Sequence, residues 1–366
     1  MKTRLSKKQT WLKNIKLTKY DQLYVGIDVH KKSYNLAFWL NDAPTIDFVM
    51  PANNKKVCQI LKKLRIALKS VVYEAGPTGY SLARALQNEE LPIQVIAPTI
   101  TPRTAAKHAK TDRIDCRKLA KFAAKGLLRK ITIPTEQQEA DRQLTRLRGQ
   151  LVPKIRRVKI QIKSFLLQHG IQQPHGLTSW SNESIEMLRK ITLSTRLRYC
   201  LDHLIKELDF FKEQLKELDK QLKDLFKQKK YITKIELLKT HPGIGPVIAG
   251  QFVTEIFNPK RFKDKTEISK YVGLCPSIIQ SGSTLRDGPI MKTGRPQLRC
   301  NLTEAAWIWV IRDPMAKNIY KRLLRNTGQA NKAITAMARK MSINLWKMLC
   351  DNKPYIQPSY NDKNNQ

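Results

Sequence analysis

The chain has 366 residues, of which 68 are Lys or Arg and 30 are Asp or Glu, giving a formal charge of +38. With 41% hydrophobic residues it can bury real cores, which excludes a disordered basic tail, and its length predicts two or three domains. So large an excess of one sign repels itself unless a polyanion neutralises it, which makes nucleic acid the expected partner. No run of about 18 apolar residues offers a membrane span, and the opening segment lacks the apolar core of a signal peptide. A cytoplasmic protein with no membrane partner is expected. The six cysteines, Cys58, Cys116, Cys200, Cys275, Cys300 and Cys350, are scattered without C-x-x-C spacing. That disfavours structural zinc and predicts free thiols.

Residues 1–20 carry seven Lys or Arg and no acid, and are expected to form a mobile basic arm. Residues 21–130 follow as an α/β region. Strands are predicted at Leu23–Ile27, Tyr34–Leu40 and Ile46–Met50, the last two separated by the turn-forming Asn41-Asp42-Ala43-Pro44. A helix over Asn54–Leu68, a strand at Ser70–Tyr73, a helix over Gly79–Asn88 and a strand at Ile93–Ile96 come next. A basic helix over Pro102–Lys125 closes the region. Three strands followed by alternating helices and strands predict a mixed sheet carrying helices.

Residues 131–234 read as helical and highly charged. Leu201, Leu204, Leu208, Phe211, Leu215, Leu218, Leu222 and Leu225 repeat at alternating steps of three and four, the seam of a coiled coil. A looser series runs Leu144, Leu147, Leu151, Ile155, Val158, Ile162, Phe165. Its outer face carries Arg146, Arg148, Lys154, Arg156, Arg157, Lys159 and Lys163, suited to phosphates. Pro153 is expected to start or kink that helix. The loop at Gln173–Gly176 would let the two helices pair in one chain. Dimerisation through the seam is also open and slightly favoured. Residues 235–350 read as apolar helices punctuated by Gly and Pro, and 351–366 as a frayed polar tail.

In an acid-poor chain the positions of the acids carry information. Asp28 and Glu74 end predicted strands, while Asp112 and Asp115 are three apart on one helix face. Phosphodiester chemistry uses such a set, because two divalent ions about 4 Å apart need hard oxygen ligands, and Mg²⁺ or Mn²⁺ fits. Taken singly, each acid could equally be a cap, a turn residue or a partner of Arg113 or Arg117. His30, close to Asp28, reads as structural.

The blocks Tyr24-Val25-Gly26-Ile27-Asp28-Val29-His30-Lys31, Tyr73-Glu74-Ala75-Gly76-Pro77-Thr78-Gly79-Tyr80 and Lys110-Thr111-Asp112-Arg113-Ile114-Asp115 resemble the N-terminal blocks of DEDD insertion-sequence transposases, a family related to certain site-specific DNA invertases. The resemblance implies a RuvC-like, ribonuclease-H-like first domain, with Asp28, Glu74, Asp112 and Asp115 in its four acidic positions.

Thr240-His241-Pro242-Gly243-Ile244-Gly245-Pro246 reads as helix, tight turn, helix. There Gly243 and Gly245 would let backbone amides approach a phosphate at a helix start. An ordinary Gly-Pro loop between helices is the plain alternative. Gln280-Ser281-Gly282-Ser283 reads as a polar loop. Lys292-Thr293-Gly294-Arg295, with Arg299, supplies cationic donors. These segments, with Gly273-Leu274-Cys275-Pro276-Ser277, are similar to the C-terminal domain of the same transposases. That likeness implies a mainly α-helical domain with a nucleophilic serine at Ser281. Gln280 stands where the family often has Ser or Thr, so Ser283 and Ser277 remain alternatives.

The resemblance further implies strand exchange through a covalent serine–DNA intermediate and protomers held by a coiled coil as a dimer or tetramer. It also implies a structured noncoding (bridge) RNA as guide and a bacterial or archaeal, nucleoid-associated setting. Two rivals are a RuvC-like metal nuclease or junction resolvase that makes no use of Ser281, and a non-catalytic architectural protein.

Overall fold

A computed structural model describes residues 10–11, 14–98, 112–281, 284–291 and 294–357, with the backbone alone for 112–114, 278–281 and 284–287. Lys292, Ser283 and the first part of the expected basic helix, 102–111, lie outside the described residues. The chain divides into two compact units, Met1–Ile133 and Pro134–Gln366. The division falls beside the expected 130/131 boundary. The further boundary expected at 234/235 lies inside the second unit.

In the first unit, β1 (Leu23–Val29), β2 (Ser33–Leu40) and β3 (Ala43–Pro51) form an antiparallel meander, and β4 (Leu68–Glu74) and β5 (Ile93–Ile96) continue the sheet parallel to β1. The order β3-β2-β1-β4-β5 gives the mixed sheet that the sequence predicts, consistent with a ribonuclease-H-like domain. Strand residues alternate between the faces. One set, Leu23, Val25, Ile27, Val71 and Tyr73, joins the main core with α1 (Asn54–Lys63) and α2 (Ser81–Asn88). The expected end of α1 at Leu68 is five residues too late. The chain turns at 64–67, and Leu68 already belongs to β4.

The opposite face is covered by α3 (Asp112–Ala124), and Gly26 is the reason it can lie so close. A Cβ there would sit 2.1 Å from the Cys116 carbonyl oxygen and 2.6 Å from the Ala120 nitrogen. Ala37 on β2 completes the contact with Cys116 and Ala120. The expected mobile arm is anchored in its second half. Trp11 packs 4.9 Å from Phe38 between ring centroids, and Ile15 and Leu17 join the same core. The charge excess concealed these three apolar residues.

In the second unit, α4 (Glu136–Gln168) pairs with α6 (Thr195–Phe226), with α5 (Asn182–Lys190) in the connection. Leu151 clusters with Leu218, Leu222 and Leu225, whereas Ile162 and Leu166 cluster with Leu201 and Ile205, so the helices run antiparallel. Each such side chain, fully buried, contributes about 1.5–3 kcal/mol. The leucine seam of α6 is thus taken up within the chain, the alternative that the sequence slightly disfavours. Helix α4 starts at a capping box, with Thr135 accepting from the Gln138 amide and Gln138 answering. It runs through Pro153 and does not start there. Pro153 is exposed, so its ring and the bond it forfeits face solvent and not the seam.

The rest of the unit comprises α7 (Lys229–Lys239), α8 (Pro246–Ile256), α9 (Lys265–Val272), the hairpin β6 (Pro276–Ser281) and β7 (Thr284–Ile290), and then α10 (Pro296–Arg312), α11 (Pro314–Thr327) and α12 (Ala330–Asp351). The hairpin replaces the polar loop expected around Ser281. The run Pro276–Ile279 is too short and too weakly alternating to be read as a strand without its partner. The tail is not frayed from 351, because Tyr355 docks on the helices by hydrogen bonds to Thr240 and Asp313.

Candidate catalytic face and phosphate-binding elements

The register of β1 against β4 pairs Gly26 with Val72 and Ile27 with Tyr73, so Asp28 and Glu74 follow at the ends of two neighbouring parallel strands. Asp28 shares its face with Gly26, and Glu74 shares its face with Val72, which packs on Leu119 of α3. Both carboxylates therefore belong to the α3 side of the sheet, where Asp115 immediately precedes the buried Cys116. Asp28, Glu74 and Asp115 are each half-buried. Asp112 is the first residue of α3, one turn before Asp115, and its side chain lies outside the described ones.

Burial, reinforced by the negative fields of Asp47 and Asp28, pushes the Cys116 thiol up to about 12. It stays a neutral packing group. His30 Nε2 lies 2.9 Å from Asp28 Oδ2, within hydrogen-bond range. Asp47 on β3 is an acid that the sequence reading passed over; it pairs with Arg117 of α3. Its signal was available, since it stands at the odd position of the alternating run Ile46, Phe48, Met50. Hard oxygen donors of this kind suit a divalent cation such as Mg²⁺. Among the described residues, no group of three or more His, Cys, Asp or Glu side chains is placed to hold a metal ion. The fourth acid, Asp112, is outside that set.

In the second unit, Ser281 is the last residue of β6 and pairs with Thr284 at the end of the hairpin. Its side chain is outside the described ones. Ser277 is further back, and its hydroxyl donates across the hairpin to the Pro289 carbonyl at 2.9 Å. The base of the hairpin is closed by the Met291 amide, which donates to Cys275, and by Gly294 lying flat on Gly273, where a Cβ would be 2.2 Å from the Gly273 nitrogen. Arg299 reaches the Gly273 carbonyl at 3.5 Å. Arg295 is the residue before α10 and extends toward Glu255.

The helix, tight turn and helix expected at 240–246, a helix-hairpin-helix-like element, form between α7 and α8. Gly243 has φ of +88°, and a Cβ on it would meet the Ala305 carbonyl oxygen at 2.4 Å. Its lack of a side chain is thus required by α10. Around Gly245, just before α8, the space is open. Arg156 and Arg157 are exposed on α4, as the outer-face reading predicts, whereas Arg146 and Arg148 of the same expected face are half-buried in ion pairs with Glu255 and Asp219.

Two buried polar clusters escaped the sequence reading. In one, Glu255 near the end of α8 receives Arg146 through two bonds of 2.7 and 3.1 Å, with Arg142 and Arg295 at 3.6 and 3.7 Å. In the other, Asp313 accepts from the Trp309 indole, the Tyr355 hydroxyl and the amides of Met315 and Ala316. The His241 ring packs against Trp309 and Tyr355. Burial drives the His241 pKa down from 6.5 to about 4, against smaller upward pulls from the Pro242 carbonyl and Asp313. The arginines of Glu255 lie far along the chain and leave no local spacing to read, whereas Asp313 before Pro314 carries a local N-cap signal.

The first unit is a mixed sheet with carboxylates at the ends of two neighbouring strands, and the second is mainly helical. The Transposase IS116/IS110/IS902 family model matches residues 235–321, and the DEDD transposase model of the IS110 type matches residues 25–171. The chain belongs to the DEDD family of insertion-sequence transposases. It is 27% identical over 331 residues to the Sinorhizobium fredii protein named "Putative transposase y4qE", covering 89% of this chain and 80% of that one. It is 26% identical over 345 residues to the transposase for insertion sequence element IS1533 of Leptospira borgpetersenii, covering 91% and 97%. With the transposase for IS1111A of Coxiella burnetii, identity is 22% over 354 residues, covering 95% and 93%. Among the described residues, no helix is long and apolar enough to cross a membrane.

Proposed function

We propose that the protein excises and inserts a mobile DNA element by strand exchange, with Ser281 as nucleophile. The observation that carries this reading is the register that sets Asp28 beside Glu74 on the α3 face of the sheet, in a chain of the DEDD family. Asp28, Glu74, Asp112 and Asp115 would hold Mg²⁺ or Mn²⁺, which when bound would polarise the scissile phosphate. The Ser281 hydroxyl gives up its proton and forms a bond to phosphorus. The leaving sugar oxygen departs and takes up a proton. The phosphoester energy is kept in the serine–DNA bond, and a second DNA hydroxyl reverses the step to rejoin the strands.

Gly243 and Gly245, the exposed Arg156 and Arg157, and Lys292, Arg295 and Arg299 hold the DNA backbone in this reading. A structured noncoding (bridge) RNA made from the element serves as guide, and its phosphates are neutralised by the same charge excess. The working form is a homo-oligomer, a dimer or tetramer, in the cytoplasm of a bacterial or archaeal cell and associated with the nucleoid.

Incubation with DNA carrying the element's junction, Mg²⁺ and the flanking transcript tests this reading. Recombinant product is expected from the native chain and none from Asp28→Asn. Cleavage that persists in Ser281→Ala without strand exchange would instead support a hydrolytic nuclease. Activity in cells left untouched by Asp28→Asn and Glu74→Gln would support an architectural role.

A further inference from the structure

Three arginines converge on one buried carboxylate in the second unit, with a fourth on the adjoining backbone, and its capacity is already committed. Arg146 takes both oxygens of Glu255, and the Tyr271 hydroxyl lies 3.3 Å from Oε2. Arg261 turns to the Glu255 and Ile256 carbonyls from within a cage of Phe257, Phe262 and Tyr271 rings. Arg142 and Arg295 remain in ion-pair range but beyond hydrogen-bond reach, at 3.6 and 3.7 Å. The Arg142 side chain is only 5% exposed, and its Nε and Nη2 have no hydrogen-bond partner. A cation buried with unpaired donors is costly, and the cost is relieved when an anion arrives to accept from it.

The cluster is open on the side of Arg146 and Arg295, whose side chains are 28% and 44% exposed. Arg295 directly precedes the seventeen-residue α10, which starts at Pro296 and whose amides from Gln297 on receive no side-chain cap. Those amides and the helix dipole favour an anion at the same place. With one acid for four arginines, the site is short of negative charge.

We propose that Arg142, Arg146 and Arg295, arranged around Glu255, form a binding site for a backbone phosphate of the DNA. The site rests on the DNA-handling reading above and adds Arg142, Arg146 and Glu255 to it. Glu255 is a positioning residue that keeps the guanidinium groups together against their mutual repulsion. Arg295 makes the first contact, and Arg142 gains the acceptor that it lacks in the free protein.

Arg142→Met tests this in the full chain, with a duplex oligonucleotide as probe and binding measured across a salt series. An ordinary structural ion pair and a waiting phosphate ligand predict opposite signs. A phosphate site predicts that Arg142→Met keeps or raises Tm while DNA affinity falls roughly tenfold. The slope of log affinity against log salt should shrink by about 0.9, one phosphate contact. Arg295→Gln, at an exposed position, should shrink the slope alike and keeps the test decisive if Arg142→Met fails to fold. A lowered Tm in Arg142→Met, with affinity and slope unchanged in both variants, would overturn the proposal. Arg156→Ala combined with Arg157→Ala separates the two levels. If that variant weakens binding while Arg142→Met and Arg295→Gln do not, this site fails and the general reading stands. If none of the variants changes binding, the DNA-handling reading fails as well.

Discussion

Asp28 and Glu74 stand one residue past the last paired positions of two adjacent parallel strands, Ile27 and Tyr73, and both belong to the face that α3 covers. Like charges at such strand ends repel, so their neutralisation should cost the fold little. Asp28→Asn and Glu74→Gln are each expected to lower strand cleavage by at least about 10³-fold. Stability should change by less than about 1 kcal/mol, since the Asp28–His30 pair is partly solvated. Single-turnover cleavage beside thermal unfolding measures both quantities, and a loss of activity that tracks a loss of fold would count against a catalytic role.

Gly26 makes the opposite trade. A methyl group there meets backbone atoms of Cys116 and Ala120, which cannot swing aside as a side-chain end would. Gly26→Ala should destabilise the protein by about 1–3 kcal/mol, and Gly26→Val by more. Denaturant titration reads this directly. Because α3 carries Asp112 and Asp115, cleavage should fall further than stability predicts.

His241 gives the second unit a dependence on pH. Its folded pKa is about 4 against 6.5, so between those values only the unfolded chain takes up the proton. The stability it contributes is complete above pH 6.5 and is lost as pH falls through that window. Between pH 7 and pH 5 the loss should be about 2 kcal/mol. His241→Phe should remove that part of the dependence. Equal slopes in the two proteins over this range would refute the assignment.

Tyr355 ties the C-terminal segment to the turn between α7 and α8. Its hydroxyl donates to Asp313, its amide donates to Thr240, and its ring packs on His241. Tyr355→Phe keeps the ring and should cost about 1–2 kcal/mol. Urea unfolding monitored by tryptophan fluorescence would report it through Trp309, and an unchanged midpoint would mean that water replaces the bond.

Strand positions were legible wherever period-two patterning met a turn signal. Ile93–Ile96 matches residue for residue, and Leu23–Ile27 lies wholly within β1. The acids at the strand ends were legible for the same reason, since a carboxylate closing an apolar run is a local feature. Helix α5 and the β6–β7 hairpin were missed because both are short and their stability comes from partners elsewhere. The leucine seam showed that α6 must pair but not with what. That is settled by Leu151, Ile155, Val158, Ile162 and Leu166 of α4, of which Leu166 stood outside the predicted series. Glu255 was invisible for a related reason, since its arginines come from distant parts of the chain, whereas Asp313 before Pro314 is a local N-cap signal.

In the proposed reaction Ser281 becomes covalently joined to DNA. The direct measurement is a denaturing gel of the native chain and Ser281→Ala after incubation with end-labelled junction DNA, Mg²⁺ and the flanking transcript. A protease-sensitive protein–DNA band from the native chain, absent in Ser281→Ala and absent without divalent metal, is the predicted result. The same band surviving in Ser281→Ala would contradict the account and move the nucleophile to another residue.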